Sequence, residues 1–255
     1  MRVLATYNIK GGVGKTAAAV NLAHLAASAG GRTLVWDLDP QGAASFYFRI
    51  KPKVRGGGKK LIRRRSRLAR SIKSTDFDGL DLLPADFSYR HLDLALDRTK
   101  KPVRRLTRLL KPLAEEYDYV FLDCPPSISL VSESVFEAAD YLLVPTIPTT
   151  LSLRTLEQLT RHLRKQSFGV DVLPFFCMVD KRKSLHRASL AAGGDVAYLR
   201  TAIPYSSVVE RMGVHRAPLA TFAAASAAAA AYAELWREIR GRIDAPDGAA
   251  VFGVD

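Results

Sequence analysis

The sequence predicts an α/β fold in which a doubly wound, mostly parallel sheet is flanked by helices. Short continuous apolar runs recur along the chain, as in strands that are buried on both faces. Segments with helical periodicity lie between these runs, and this alternation is typical of strand–helix–strand units. A glycine-rich turn also joins the first apolar run to the first helical segment. Together these observations favour one sheet that is covered by helices on both sides.

The strands are predicted from seven apolar runs, which are Val3–Tyr7, Thr33–Trp36, Leu80–Pro84, Tyr119–Leu122, Tyr141–Pro145, Leu173–Val179 and Leu199–Ile203. Helices are predicted from three amphipathic stretches, which are Ala17–Ser28, Leu92–Glu116 and Thr150–Gln166. Because proline cannot continue a helix interior, Pro102 and Pro112 should divide the second stretch into more than one helix. The alanine-rich run Ala223–Ala233 predicts a further helix, since alanine favours helix without needing a partner.

Length and composition predict a single domain. The chain has 255 residues, 48% of them hydrophobic, which is enough for one substantial core. We expect one domain over residues 1–243, with a basic insertion or arm at about 47–78 and a flexible tail over 244–255. No apolar run reaches the roughly 20 residues that span a bilayer, and no cleavable signal pattern is visible, so a cytoplasmic location is expected. Cys124 and Cys177 are expected to be reduced core residues.

The formal charge of +13 is concentrated in residues 51–73. That stretch holds eleven Lys or Arg residues and no acid, which leaves +2 for all other residues. Leu61, Leu68 and Ile72 give its second half a weak apolar stripe. We therefore interpret it as either a flexible arm or a short basic helix. A block of this kind indicates a polyanionic partner, either nucleic acid or an anionic membrane surface, although charge runs are often only solvated loops.

The glycine-rich turn runs from Lys10 to Thr16 with the sequence KGGVGKT. It follows a predicted strand and opens a predicted helix, which is the context of a phosphate-binding loop. In such loops Lys15 reaches the β- and γ-phosphates and the Thr16 hydroxyl binds magnesium. We therefore expect a P-loop nucleoside triphosphatase that binds ATP and Mg²⁺. The expected loop contacts to the nucleotide are Gly11, Gly12, Val13, Gly14, Lys15, Thr16 and Ala17.

The loop departs from the general G-x-x-x-x-G-K-[ST] pattern. Ile9 stands where the first glycine belongs, and Lys10 is an additional lysine. In this respect the chain resembles the deviant Walker A family of ATPases, which contains the ParA partition proteins and the MinD cell-division proteins. The resemblance implies a SIMIBI-like P-loop NTPase fold. It also implies that Lys10 reaches across a dimer interface and stabilises negative charge on the phosphoryl group of the partner's nucleotide.

Two further segments extend the resemblance. The sequence WDLDPQG at residues 36–42 matches the family's D-x-D-P-Q-G switch I, which implies that Asp37 acts near the metal and that Asp39 orients or activates the attacking water. The sequence YDYVFLDCPPS at residues 117–127 matches the Walker B strand and switch II, which implies that Asp123 holds the magnesium hydration shell. The implied metal residues are Thr16, Asp37 and Asp123. The implied catalytic residues are Lys10, Lys15 and Asp39.

The rest of the chain is similar to the partition branch of the family in particular. Segments 80–85, 203–210 and 230–239 resemble its third strand and its C-terminal third. In the family, segments after the last two strands cradle the adenine, and here those places are held by Met178, Asp180, Pro204 and Tyr205. Family DNA contacts lie in the C-terminal region, where the candidates are Arg182, Arg187, Arg200, Arg211 and Arg216.

This resemblance implies a working cycle. An ATP-dependent homodimer binds DNA without sequence preference, and a ParB-like or other cargo-bound activator protein stimulates its slow hydrolysis of ATP. Repeated release and rebinding then positions or segregates a plasmid, a chromosome or a protein cluster over the nucleoid of a bacterium. We further hypothesise that residues 51–73 are an added DNA-binding arm. Its candidate contacts are Lys59, Lys60, Arg63, Arg64, Arg65 and Arg67.

The alternative function is that of a membrane-associated positioning ATPase like MinD. Membrane contact is not expected, because the basic block offers a small apolar face without an aromatic anchor. A C-terminal apolar face is better explained as core packing. It is formed by Tyr232, Leu235, Trp236, Ile239 and Ile243. Metabolic relatives on the same fold are disfavoured, since the chain lacks cluster cysteines and no motif identifies a pocket for a small second substrate.

Overall fold

One mostly parallel sheet organises the chain in a computed structural model that describes residues 1–63, 68–191 and 197–244. Its spatial order is β3-β4-β2-β5-β1-β6-β7. The strands are β1 (Arg2–Thr6), β2 (Thr33–Asp37), β3 (Lys73–Ser74), β4 (Leu80–Leu83), β5 (Tyr119–Asp123), β6 (Tyr141–Thr146) and β7 (Asp171–Phe176). Only β3 is antiparallel to its neighbour. The predicted doubly wound α/β class is confirmed.

Helices cover both faces of the sheet. In the described residues they are α1 (Lys15–Ser28), α2 (Ala43–Tyr47), α3 (Gly57–Arg63), α4 (Leu92–Asp97), α5 (Arg105–Leu110), α6 (Leu130–Ala138), α7 (Thr150–Lys165), α8 (Ser184–Ala191), α9 (Ser207–Glu210), α10 (Met212–His215), α11 (Leu219–Phe222) and α12 (Ala227–Ile243). Apolar residues of α3 to α7 form one core with the sheet, and those of α1, α2 and α10 to α12 form the other. No helix of the described residues is long and apolar enough to cross a membrane.

Six of the predicted strands are present with small shifts of their ends, whereas the strand predicted at Leu199–Ile203 is wrong. The N–H groups of Leu199 and Ile203 donate to the β7 carbonyls of Pro174 and Phe176, both at 2.8 Å. Between them, the N–H groups of Arg200 and Thr201 donate to the Glu238 carboxylate at 2.7 and 2.9 Å, which interrupts the ladder beside β7. The short antiparallel edge strand β3 has no apolar run and is not predicted by the sequence.

Prolines and caps explain the helix boundaries. The stretch Leu92–Glu116 is divided as predicted into α4, α5 and a 3₁₀ segment at Lys111–Glu115. The alanine-rich helix begins later than predicted, at Ala227, because the Ser226 side chain caps it by accepting from the Ala229 N–H at 3.2 Å.

The described part of the basic block is a short helix that packs against the sheet, not a free arm. Leu61 and Ile62 of α3 have no exposed surface. The Asp86 carboxylate accepts from the Val54 N–H at 2.8 Å, and the Gly58 N–H donates to Ser88 Oγ at 2.8 Å. The predicted flexible tail lies outside the described residues, apart from Asp244.

Candidate functional site

Three parallel strands end side by side and gather polar groups at one edge of the sheet. Thr6 at the end of β1 and Asp37 at the end of β2 are both in register with Asp123 at the end of β5. The glycine-rich loop follows β1, and the Asp-Pro-Gln-Gly turn follows β2. Open α/β sheets bind ligands at this carboxyl edge, so the sheet itself places these segments together.

The loop wraps around the N-terminus of α1. Gly12 and Gly14 have φ values of 70° and 94°, a left-handed conformation that favours glycine. Lys15 is buried, and its Nζ donates to the Lys10 carbonyl at 3.0 Å. Burial lowers the pKa of Lys15, although the nearby Asp123 carboxylate opposes this. A phosphate bound in the loop would supply the negative partner that this buried ammonium needs.

Lys10 lies at the exposed entrance of the loop. Its backbone N–H donates to Asn8 Oδ1 at 2.9 Å, while Asn8 Nδ2 donates to the Pro145 carbonyl at 2.9 Å. Its Nζ lies 3.4 Å from Ser152 Oγ at the start of α7. The backbone of Lys10 is therefore anchored to the sheet, while its ammonium group lies near the surface.

The Asp37 carboxylate is fully buried. Its Oδ2 accepts from the Ser45 N–H at 2.8 Å and from Ser45 Oγ at 2.7 Å. Burial raises the pKa of Asp37 to about 6, although the hydrogen bonds from Ser45 oppose the shift. These contacts tie the start of α2 to the end of β2.

The Asp123 carboxylate has an unused oxygen that fits a cation. Its Oδ1 accepts from Thr6 Oγ1 at 3.3 Å, whereas its buried Oδ2 has no hydrogen-bond partner. Burial raises the pKa of Asp123 well above its ordinary range, and the nearby Asp37 raises it further. A buried carboxylate oxygen without a donor is costly unless a cation lies against it. Together with the hydroxyl of Thr16, this donor set fits magnesium, which prefers oxygen ligands.

Asp39 faces an open cavity of about 380 Å³ between the glycine-rich loop and the C-terminal third of the chain. Its Oδ1 accepts from the Gln41 N–H at 2.9 Å. The predicted residues that line this cavity are Gly11, Gly12, Gly14, Lys15, Thr16, Ala17, Asp39, Met178, Pro204 and Tyr205. The phosphate-binding loop and most of the predicted adenine contacts therefore surround one space.

Two predicted nucleotide contacts lie outside that lining. Val13 is buried behind the loop, and its carbonyl accepts from Cys177 Sγ at 2.8 Å. The Asp180 carboxylate forms an ion pair with Arg182 at 2.9 Å, which lowers the pKa of Asp180 to about 2. In this arrangement the Asp180 carboxylate binds Arg182 and does not line the cavity.

Both cysteines are buried and free, as expected. Burial raises the pKa of the Cys177 thiol to about 12, and burial also raises that of Cys124. Thiols in this state are poor nucleophiles. The two cysteines are therefore packing residues.

Further residues of the site are not identified by any sequence motif. Asn8 and Ser45 act on the backbone around the loop and around Asp37. Tyr47 of α2 lines the cavity, and burial raises the pKa of its phenol, with the Asp123 carboxylate adding to the shift. The remaining lining residues are Ala43, Pro126, Cys177, Ile203, Ser206, Val209, Glu210 and Tyr232. The sequence indicates these two residues only by position: Asn8 follows β1 closely, and Ser45 lies in the short helix α2 after β2.

Half of the predicted DNA-binding cations of the basic block belong to the described residues. Lys59, Lys60 and Arg63 are exposed on α3. Arg64, Arg65 and Arg67 lie outside the described residues.

Several C-terminal arginines make contacts within the chain. Arg182 pairs with Asp180, and Arg187 Nη1 donates to the carbonyls of Lys181 and Arg182 at 2.8 and 3.1 Å. These two arginines therefore stabilise the turn before α8.

The other C-terminal arginines lie near α2 and α12. Arg216 Nε donates to the Phe46 carbonyl at 3.1 Å, and the Arg216 guanidinium lies 4.7 Å from the Phe46 ring centre. Arg211 lies 3.4 Å from the His215 ring nitrogen, and Arg200 is exposed. Arg200 and Arg211 are the more exposed members of this set.

We expect Asp37→Asn to stabilise the nucleotide-free protein at pH 7.5 by about 2 kcal/mol. The pKa of Asp37 is raised in the folded state, so its carboxyl favours folding most below about pH 4, and this contribution is lost as the pH rises to about 6. The variant should remove that part of the pH dependence. Denaturant unfolding between pH 4 and 8 tests this, with Asp39→Asn as the half-buried control. Identical pH slopes in Asp37→Asn and wild type would contradict it.

Comparison with known proteins agrees with this site. A family model described as an AAA domain matches residues 1–168. The chromosome partitioning protein ParA of Caulobacter vibrioides (strain NA1000 / CB15N) is 30% identical over 254 residues, covering 95% of each chain. The sporulation initiation inhibitor protein Soj of Bacillus subtilis (strain 168) is 29% identical over 248 residues, covering 93% of this chain and 98% of Soj.

A solved structure with a bound nucleotide analog has the same fold as this chain. Cobyrinic acid a,c-diamide synthase from Mycobacterium smegmatis, with bound ATP analog and magnesium, has a TM-score of 0.81 and 26% identity over 96% of each chain. The family match and the ParA relative, together with the loop and the carboxylates at the sheet edge, establish the relationship. The chain belongs to the ParA-type family of deviant Walker A P-loop ATPases.

Proposed function

We propose that this protein is an ATPase that dimerises when it binds ATP, binds DNA without sequence preference as a dimer, and positions or segregates a cargo. The cargo is a plasmid, a chromosome or a protein cluster, and a cargo-bound partner protein stimulates hydrolysis. One observation carries the proposal: the glycine-rich loop and Asp39 line one cavity, and Asp123 lies beside the strand that leads into this loop, in a chain of the ParA-type family.

The residues of the cavity suit ATP and magnesium. The loop N–H groups and Lys15 would bind the phosphates, while Thr16, Asp37 and Asp123 would hold a magnesium ion. When bound, the ion would supply positive charge that neutralises the phosphates. Asp39, which lines the cavity, would orient the attacking water.

Lys10 gives the site its dependence on a second chain. The anchored backbone of Lys10 fixes where its side chain starts, and the exposed ammonium group can reach a nucleotide on a facing copy. Turnover by the monomer is then slow, because this positive charge is missing from the transition state until the dimer forms.

Charge supports the DNA-binding part of the proposal. The formal charge is +13, and the exposed cations of α3 and of the C-terminal third are available to phosphates. Binding without sequence preference needs phosphate contacts and not base readout. The M. smegmatis synthase has the same fold, so the fold alone does not identify the function. The proposed partition function is supported by the similarity to the chromosome partitioning protein ParA.

The membrane-associated alternative has less support. Leu61, Ile62 and Leu68 of the basic block are buried in the core, so they offer no apolar face to a bilayer. The apolar face of α12 is buried as well, as predicted. Neither of these two faces, as far as the structure describes them, can therefore anchor the protein in a bilayer.

Sedimentation with two surfaces tests the proposal. The protein is mixed with random-sequence DNA, and separately with anionic liposomes, in the presence of ATP, ADP or no nucleotide. We expect retention on DNA that requires ATP and falls steeply with salt. Retention on liposomes without DNA binding would overturn the DNA function in favour of the membrane alternative.

A further inference from the structure

A second basic segment lies at residues 98–111. It holds seven Lys or Arg residues and no acid. Residues 51–73 hold eleven, so these two acid-free segments carry eighteen of the 38 Lys and Arg residues of the chain. They are far apart in sequence, and no motif connects them. Only the fold determines whether their charges act together.

The fold places the two segments side by side. Arg105 Nε in α5 donates to the carbonyl of Ile62 in α3 at 2.6 Å. Ile62 belongs to the same buried core as Leu106 and Leu109 of α5. Because the apolar residues of both helices point into this shared core, their cations are left on the solvent side.

The resulting surface has an excess of exposed positive charge. Lys59, Lys60 and Arg63 are exposed on α3, and Arg98, Lys100 and Lys111 are exposed on the second segment. Arg104 of the second segment forms an ion pair with Glu137 at 3.0 Å. A dense set of exposed cations attracts a polyanion and makes its binding strongly dependent on salt.

We propose that α3 and residues 98–111 form one composite basic face that binds the phosphate backbone of duplex DNA. This inference rests on the proposed DNA-binding function and assigns a surface to it. The face lies on the layer of α3 to α7, whereas Arg211 and Arg216 flank α10, which packs in the other layer. It is therefore a separate surface from the C-terminal arginines.

Duplex DNA fits this face better than a bilayer does. The apolar residues of the two helices are buried, so the face itself is polar and charged. Two apolar side chains next to it, Phe87 and Leu94, are 63% and 62% exposed, and the Arg90 guanidinium lies 4.1 Å from the Phe87 ring centre. Two side chains bury little apolar surface in a bilayer compared with the apolar face of a basic amphipathic helix. Liposome binding is therefore an outcome that the test must include.

Three variants with the same change in net charge test the face in the full chain. The first is Lys59→Gln/Lys60→Gln/Arg63→Gln on α3. The second is Arg98→Gln/Lys100→Gln/Lys111→Gln on the second segment. The control is Arg237→Gln/Arg240→Gln/Arg242→Gln on α12, in the opposite layer. Binding to a random-sequence duplex with ATP is measured by fluorescence anisotropy between about 50 and 200 mM salt, and to anionic liposomes alongside. Thermal unfolding and ATP affinity check that each variant is folded.

We expect each of the first two variants to weaken DNA binding at least tenfold and to make the salt slope shallower by about 2 to 3 units, while the control changes little. If wild type binds DNA and both variants bind equally well, the face is wrong although the proposed function stands. An equal loss in the control would show that net charge and not this face matters, which also overturns the inference. If the first two variants lose liposome binding instead of DNA binding, the partner is wrong. If wild type does not bind DNA at all, the proposed function fails, and the face fails with it.

Discussion

Lys15→Ala is expected to weaken the affinity for ATP and Mg²⁺ by about 10- to 100-fold. The Lys15 ammonium is buried in the loop, where its charge-assisted hydrogen bonds to phosphate contribute more than hydrogen bonds at the surface. The Lys15 Nζ donates to the Lys10 carbonyl, and burial lowers the pKa of Lys15. The nucleotide-free variant should therefore be at least as stable as wild type, so that lost affinity cannot be attributed to unfolding. Calorimetric titration with ATP measures the affinity.

The matched control is Lys10→Ala in the same loop. Its ammonium group lies at the surface near Ser152 Oγ and not in the cavity, so the affinity of a monomer for ATP should change less than threefold. Turnover should nevertheless fall in Lys10→Ala, because the charge offered to the facing nucleotide is gone. Equal affinity for ATP in Lys15→Ala and wild type would remove Lys15 from the phosphate site.

Asp39→Ala is expected to keep ATP binding and to lower turnover by at least 100-fold. Asp39 lines the cavity, and its carboxylate Oδ1 accepts from the Gln41 N–H, which leaves the carboxylate further capacity to accept a hydrogen bond from a water molecule. Orientation or activation of a nucleophile by one carboxylate contributes a factor of about 10² to 10⁴. Release of phosphate and calorimetric ATP affinity measure the two effects separately.

Asp37→Ala is the comparison variant for Asp39→Ala. Asp37 holds the start of α2 through Ser45 and is placed beside Asp123, so its loss should reduce both magnesium-dependent ATP affinity and turnover. Turnover at the wild-type rate in Asp39→Ala would exclude Asp39 from the hydrolytic step.

The phosphate half of the site could be predicted from the sequence because its residues are local. The glycine-rich loop, Asp37 and Asp123 each follow a buried strand directly, and parallel strands bring their carboxyl ends to one edge. Register then places Asp37 beside Asp123 without any long-range information.

The opposite half of the cavity depends on tertiary contacts that no local pattern contains. Met178 adopts a left-handed conformation with φ of 53° just after β7, and Asp180 turns toward Arg182. The segment predicted as a seventh strand at Leu199–Ile203 pairs with β7 at its two ends, but Glu238 of α12 binds the backbone between them. Likewise, the second basic segment lies beside the first because Arg105 contacts α3, and this contact is not visible in the sequence. In both cases a side chain binds a backbone group that is distant in sequence, and local sequence patterns do not identify such partners.

In the proposed function, bound ATP determines how long the protein stays attached to DNA. The most direct test loads the protein with ATP on immobilised random-sequence DNA, removes free nucleotide, and follows the release of the protein over time alongside Asp39→Ala. We expect wild type to leave the DNA at the rate at which it hydrolyses its bound ATP, and Asp39→Ala, which keeps its ATP, to remain bound many times longer. Release of both proteins at the same rate, or retention that is the same with ATP and with ADP, would show that ATP hydrolysis does not control attachment to DNA.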